Sequence, residues 1–140
     1  MLRESHIELV RTKGTTFGRV LMGLLFLVSG SMMFFIQGPA NVAAYFTSLG
    51  IPFAEIVVWP VIILKIVAGG AIVIGRRTTE AAAALIVFTL IATFLAHLDP
   101  ETDPNFMTNM LKNLAIVGGL LYLMAFGPHG MDITEEGKSK

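Results

Sequence analysis

The chain has 140 residues, 54% of them hydrophobic and only 14% charged, with a mean hydropathy of +0.74; soluble domains carry about 25% charged residues, so this is the composition of an integral membrane protein. Ten basic residues balance ten acidic ones, which leaves no electrostatic footprint for nucleic acid. With no cysteine, disulfide-relay chemistry, thiolate metal sites and iron–sulfur ligation are excluded within these residues.

Residues 1–16 are polar, with Arg3, Arg11 and Lys13 set among Glu4 and Glu8. Two readings fit them: a solvated cytoplasmic segment, or a short surface helix with a weak apolar face of Ile7, Leu9 and Val10. No cleaved leader is expected, because the apolar run that follows is too long for a signal-peptide core. The first span is predicted over 17–36, with Arg19 snorkelling to the near interface and Gly18, Gly23 and Gly30 offering close approach to another helix. Gln37-Gly38-Pro39-Ala40-Asn41 breaks this helix, and a connection runs on to Gly50. Pro52 suits the first turn of a second span over 53–75. Pro60 lies inside that span and predicts a kink, with a freed carbonyl near Ile56. Gly75 to Glu80 reads as a tight turn, with Thr78 or Thr79 as N-cap of a third span over 81–98.

Asp99-Pro100-Glu101-Thr102-Asp103-Pro104 is an acidic loop broken by proline. The uninterrupted apolar run after it, Leu114 to Phe126, covers only roughly 20 Å as a helix, against about 30 Å of bilayer core. The fourth span is therefore predicted over 107–126, which carries Asn109, Lys112 and Asn113 below the headgroups on one helical face. Gly127-Pro128-His129-Gly130 closes a transmembrane domain over 17–130, and 131–140 is a polar cytoplasmic tail. The fold class is thus all-α, an integral membrane up-down-up-down bundle of four helices. Arg3, Arg11, Lys13, Arg19, Arg76, Arg77, Lys138 and Lys140 fall on one side of it, while the loops opposite carry Asp99, Glu101 and Asp103. Both termini are accordingly placed in the cytoplasm. Trp59 and Tyr45 read as interface anchors on the outer side.

Several stretches resemble the DoxX family of small four-helix membrane proteins. They are the opening Arg19-Val20-Leu21-Met22-Gly23-Leu24-Leu25-Phe26-Leu27-Val28-Ser29-Gly30, then Gly69-Gly70 with Gly75, His97, and Lys112-Asn113-Leu114-Ala115-Ile116-Val117-Gly118-Gly119-Leu120-Leu121. The likeness covers roughly 17–130. It implies a bacterial or archaeal cytoplasmic-membrane protein, from a family named for members linked to quinone-dependent sulfur oxidation and a terminal oxidase. The chain departs from the family pattern at Met33, where a basic residue is frequent, and at Lys65, where an acidic residue precedes the glycines. A charge pair is therefore missing, and a lone lysine stands in place of its acidic half.

Lys65 is the sharpest candidate for chemistry, since an ammonium near the bilayer centre costs at least ~2.5 kcal/mol. No Asp or Glu lies at similar depth in any span. Lys65 must be neutral, snorkel, bond to Ser29, Thr89, Thr93 or an Asn, or meet a ligand or a partner chain. Thr93 and His97 share a face of the third span, and Asn109, Lys112 and Asn113 enter from the same side. These residues make either a polar pocket for a quinone or other small molecule, or simple interface capping. In the pocket reading, Asp99 would pass protons to the far side.

Gly69, Gly70, Gly118 and Gly119 are read as helix-packing positions that bring the second and fourth spans together. His6, His97 and His129 fall on opposite sides of the membrane with no carboxylate cluster, so no metal or haem is expected within the chain. By subtraction, the leading functional reading is a small quinone-linked redox or accessory subunit whose partner carries the redox centre. The alternatives are a non-enzymatic structural subunit of a larger membrane complex, or a homo-oligomeric small-solute carrier. In every case the lipid bilayer is the first partner.

Overall fold

The computed structural model describes residues 2–128; His129 and the tail over 131–140 lie outside the described residues. Among the described residues every regular element is helical, and four helices are long and apolar enough to cross a membrane. The first is continuous over Arg3–Gln37, 35 residues, or roughly 50 Å. It comprises α1 (Leu2–Leu9), a π-helical turn (Val10–Gly14), α2 (Thr15–Met32) and a second π-helical turn (Met33–Gln37). The polar N-terminal residues are exposed and helical, and they run without a break into the first span. In the widened turn, the hydroxyls of Thr12, Thr15 and Thr16 donate to the carbonyls of Glu8, Arg11 and Thr12, a back-bonding that loosens helix geometry.

The connection expected up to Gly50 contains a helix, α3 (Pro39–Ser48). Gly38, at φ 82°, turns the chain, and Pro39 sits in the first helical turn where its missing N–H costs nothing. Val42 and Ala43 are buried against Ala54, Val58 and Ile62. The proline that breaks the first span thus also starts a new helix.

The second span, α4 (Ala54–Ile74), continues through Pro60. Its C-terminus is a Schellman closure: Gly75 takes φ 75°, its N–H donates to Ile72 O (3.2 Å), and Arg76 N–H donates to Ala71 O (2.9 Å). The third span, α5 (Thr78–Ala96), begins earlier than the sequence suggested. Arg77, in the left-handed region at φ 48°, occupies the cap position, and no side chain caps the helix. Thr78, an expected cap, is buried with its hydroxyl unpartnered. The fourth span is α6 (Phe106–Phe126), which begins well before Asn113 and so includes Asn109, Lys112 and Asn113 in the helix.

Helix packing is uneven. α2 lies closely on α4 and α5 on α6, whereas α2 and α6 touch little. The α2–α4 contact is set by glycines. A Cβ on Gly69 would meet Leu27 N at 2.6 Å and Gly23 O at 2.9 Å, and one on Gly23 would meet Gly69 O at 2.7 Å. The four glycines expected to join the second and fourth spans do not do so. Gly69 serves the first and second spans, Gly119 faces the Met22 methyl of α2, and Gly70 and Gly118 face open space. Phe26, Ala68, Ile72, Leu85 and Leu120 form the core at one end, while Leu21, Val28, Ile63, Val67, Ile91 and Phe94 are exposed, as befits a lipid-facing surface.

Substituting alanine at Gly23 or Gly69 should separate α2 from α4 and destabilise the bundle by about 1–3 kcal/mol. Gly70→Ala and Gly118→Ala, which meet nothing, should be neutral or slightly stabilising. Thermal unfolding in one detergent would check this, and equal midpoints for Gly69→Ala and Gly70→Ala would refute the packing assignment.

Candidate functional site

α2, α4, α5 and α6 enclose a pocket of about 300 Å³ near the acidic loop. Its walls carry Phe26, Phe88 and Ile116, and its polar lining is Ser29, Lys65, Thr89, His97, Lys112 and Asn113, with no carboxylate. The close α2–α4 approach brings Ser29 to Lys65: Nζ donates to Ser29 Oγ at 2.5 Å and lies 3.5 Å from Met33 Sδ. It also lies 5.7 Å from the centroid of the Phe88 ring, a cation–π distance. Lys65 therefore turns inward instead of snorkelling. Met33, in the π-helical turn that follows α2, and Lys65 of α4 thus face each other.

On the α5–α6 side the polar groups form a chain. Asn113 Nδ2 donates to Thr93 Oγ1 (2.9 Å), and Thr93 Oγ1 donates to Thr89 O (2.7 Å). Thr89 is buried at 4% exposure, and its own hydroxyl has no partner in the protein. α5 ends where His97 N–H makes the last helical bond, to Thr93 O at 2.9 Å. His97 Nδ1 then lies 2.7 Å from Asp103 Oδ2, which also accepts from Asn109 Nδ2 at 2.8 Å. Asp103 Oδ1 accepts from Asn105 N–H at 3.0 Å. The Asn109 amide foremost, and then His97, hold the Asp103 carboxyl below the usual carboxylate range.

Of the six residues proposed from sequence, Lys65, His97, Lys112 and Asn113 line the pocket directly. Thr93 stands behind Asn113, and Asn109 acts through Asp103. Lys112 is exposed and makes no hydrogen bond or ion pair to any described residue, so it is a free cation at the pocket edge. The carboxylate against His97 is Asp103, while Asp99, the residue read as a proton path, accepts from Glu101 N–H at 2.9 Å through its Oδ1. Asp103 carries no signal in the sequence beyond its place in the acidic loop, and Ser29 and Thr89 stand out there only as possible partners for Lys65. Their types and depths were visible, but which helix faced Lys65 was not. Among the described residues no group of three or more His, Cys, Asp or Glu side chains clusters to hold a metal.

At the opposite end Arg19 does not snorkel. It is buried at 7% exposure, its Nη1 donating to Pro128 O (2.9 Å) and its Nη2 to Val73 O (3.3 Å). It thus satisfies a carbonyl left over by the α4 terminus and ties the start of α2 to the ends of α4 and α6. Gly75 makes room for it, since a Cβ there would lie 2.8 Å from Nη1.

The family model for DoxX matches residues 14–98. The inner membrane protein YqjF of Escherichia coli (strain K12) is 35% identical over 121 residues, 86% of this chain and 88% of that protein. No solved structure matches the chain. Four apolar spans and these likenesses make it an integral protein of the cytoplasmic membrane, and it belongs to the DoxX family.

Proposed function

We propose that this protein is a small quinone-linked accessory subunit, with both termini in the cytoplasm and a quinone headgroup site in the pocket between α2, α4, α5 and α6. The observation that carries the reading is Thr89. Thr89 lines a pocket that otherwise presents Lys65, Lys112 and His97 over aromatic and aliphatic walls, and its buried hydroxyl has no protein partner. An orphaned buried donor is costly unless something accepts from it, and a ring carbonyl is a suitable acceptor. The volume of about 300 Å³ is at the lower end for ligand pockets and suits a single ring, whose tail would stay in lipid. Bound quinone would supply two-electron, two-proton carrier chemistry, with electrons drawn from a membrane redox partner.

The residues of the chain then have separate tasks. Thr89 and Asn113 orient the ring oxygens, and the Lys65 and Lys112 cations favour negative charge developing on them. An ionised Asp103 only accepts, so His97 keeps its hydrogen on Nδ1 and leaves Nε2 to exchange a proton. Asp103 and Asn109 are positioning residues for that imidazole. The alternative, a structural subunit of a larger complex, draws on the uncovered Gly70 and Gly118. It gains nothing from Lys65, whose ammonium is already engaged within the chain.

Titrating a short-chain quinone into the purified protein tests the site. Thr89→Val, Lys112→Ala and His97→Ala should each weaken binding about five- to tenfold, the worth of one hydrogen bond. Affinities equal to wild type in all three would defeat the proposal.

The His97–Asp103 contact has its own pH signature. The folded carboxyl titrates below its unfolded value of about 3.9, so its stabilisation is complete above that value and fades as pH falls through the lower folded one. The loop over 99–105 should stay anchored at pH 5 and loosen only in stronger acid. Asp103→Asn should speed amide exchange there at pH 7, after correction for intrinsic rates, and remove the acid-induced change. An unaltered exchange rate in that variant would show that the carboxylate does not hold the loop.

A further inference from the structure

The weakly closed seam between α2 and α6 opens a second time, towards the Arg19 end, as a groove of about 560 Å³. It is separate from the quinone pocket and does not depend on that reading. Its floor is apolar, formed by Gly18 and Met22 of the first span with Leu123 and Phe126 of α6. The Met22 methyl against Gly119 narrows it towards the membrane centre. A groove in the flank of a transmembrane helix is bathed by acyl chains, so in a bilayer its apolar floor is covered by one.

The mouth of the groove sets which lipid that is. Arg11 lines it, is exposed, and makes no ion pair to any described residue. Arg19 also lines it, and its Nε is buried with no hydrogen-bond partner although the two terminal nitrogens are satisfied. Two guanidinium groups, one free and one with an unspent buried donor, ask for an anionic oxygen acceptor such as a phosphate. The groove has no carboxylate of its own. Residues 129–140 include Asp132, Glu135, Glu136, Lys138 and Lys140 and do not supply the long apolar group that the floor requires.

We propose that this groove holds one phospholipid with an anionic headgroup, its phosphate taken by Arg11 and Arg19 and an acyl chain lying along Gly18 and Met22. The site would fasten α2 to α6, which touch little, beside the Arg19 bonds to Val73 and Pro128.

Native mass spectrometry of the full chain, after detergent exchange with phosphatidylglycerol or phosphatidylcholine of matched acyl chains, tests this directly. Wild type should retain one phosphatidylglycerol and little phosphatidylcholine. The exposed change Arg11→Gln should lower retention about fivefold, the worth of one basic residue at an anionic membrane surface. Gly18→Leu projects into open space in the groove and should abolish retention without altering the oligomeric mass. A thermal-shift arm with inorganic phosphate separates a headgroup-only site from a lipid site, because free phosphate should give no comparable stabilisation. Equal retention of both lipids, the same shift from free phosphate, or loss of a dimer in Gly18→Leu would each overturn the proposal.

Discussion

The structure depends on the close approach of α2 and α4. Three glycines, Gly23, Gly30 and Gly69, let the two backbones meet where any side chain would hold them apart. The contact at Gly30 has a particular consequence, because a Cβ there would lie 2.8 Å from that of Lys65. With only hydrogen at that point, the lysine stem lies flat against α2 and its ammonium reaches Ser29. In lipid, where apolar surface gives no driving force for helix association, such close packing and the polar bond it permits hold the pair together.

The polar groups of the bundle are then disposed at three depths. Arg19 closes one end by taking the Val73 carbonyl left over at the α4 terminus and the Pro128 carbonyl just past α6. Lys65 occupies the middle, paired with a hydroxyl and an aromatic face instead of a carboxylate. His97 and Asp103 close the other end, with Asn109 fixing the carboxylate from the first turn of α6. Arg19, Lys65, His97 and Asp103 are each engaged inside the protein, which is how membrane spans tolerate ionisable groups, whereas Lys112 stays free at the pocket edge. Thr89, between the middle and the acidic end, keeps a buried hydroxyl without a protein partner, as Thr78 does near the Arg19 end, and of the two Thr89 is the one that lines the pocket.

The seam between α2 and α6 is the counterpart of the tight α2–α4 contact. One face of α2 is committed to α4, leaving its opposite flank in light contact with α6. Both openings therefore lie along this line, one towards each membrane face, with Met22 and Gly119 between them.

The sequence by itself determined the membrane class, the four spans and the early start of the last helix. Those follow from composition and from the fixed rise of a helix against bilayer thickness, so they need no knowledge of neighbours. It also placed His97, Asn109, Lys112 and Asn113 at one end, because depth along a span is a linear quantity. Azimuth is not. Whether Gly69 or Gly70 packs, whether Lys65 meets Ser29 or lipid, whether Asp99 or Asp103 takes the histidine, and whether Arg19 turns inward were decided only when four helices were rotated against one another. The helix of 39–48 was hidden for a related reason: Pro39 ends one helix and starts the next with the same missing N–H, and only burial of Val42 and Ala43 on α4 chooses between a break and a beginning.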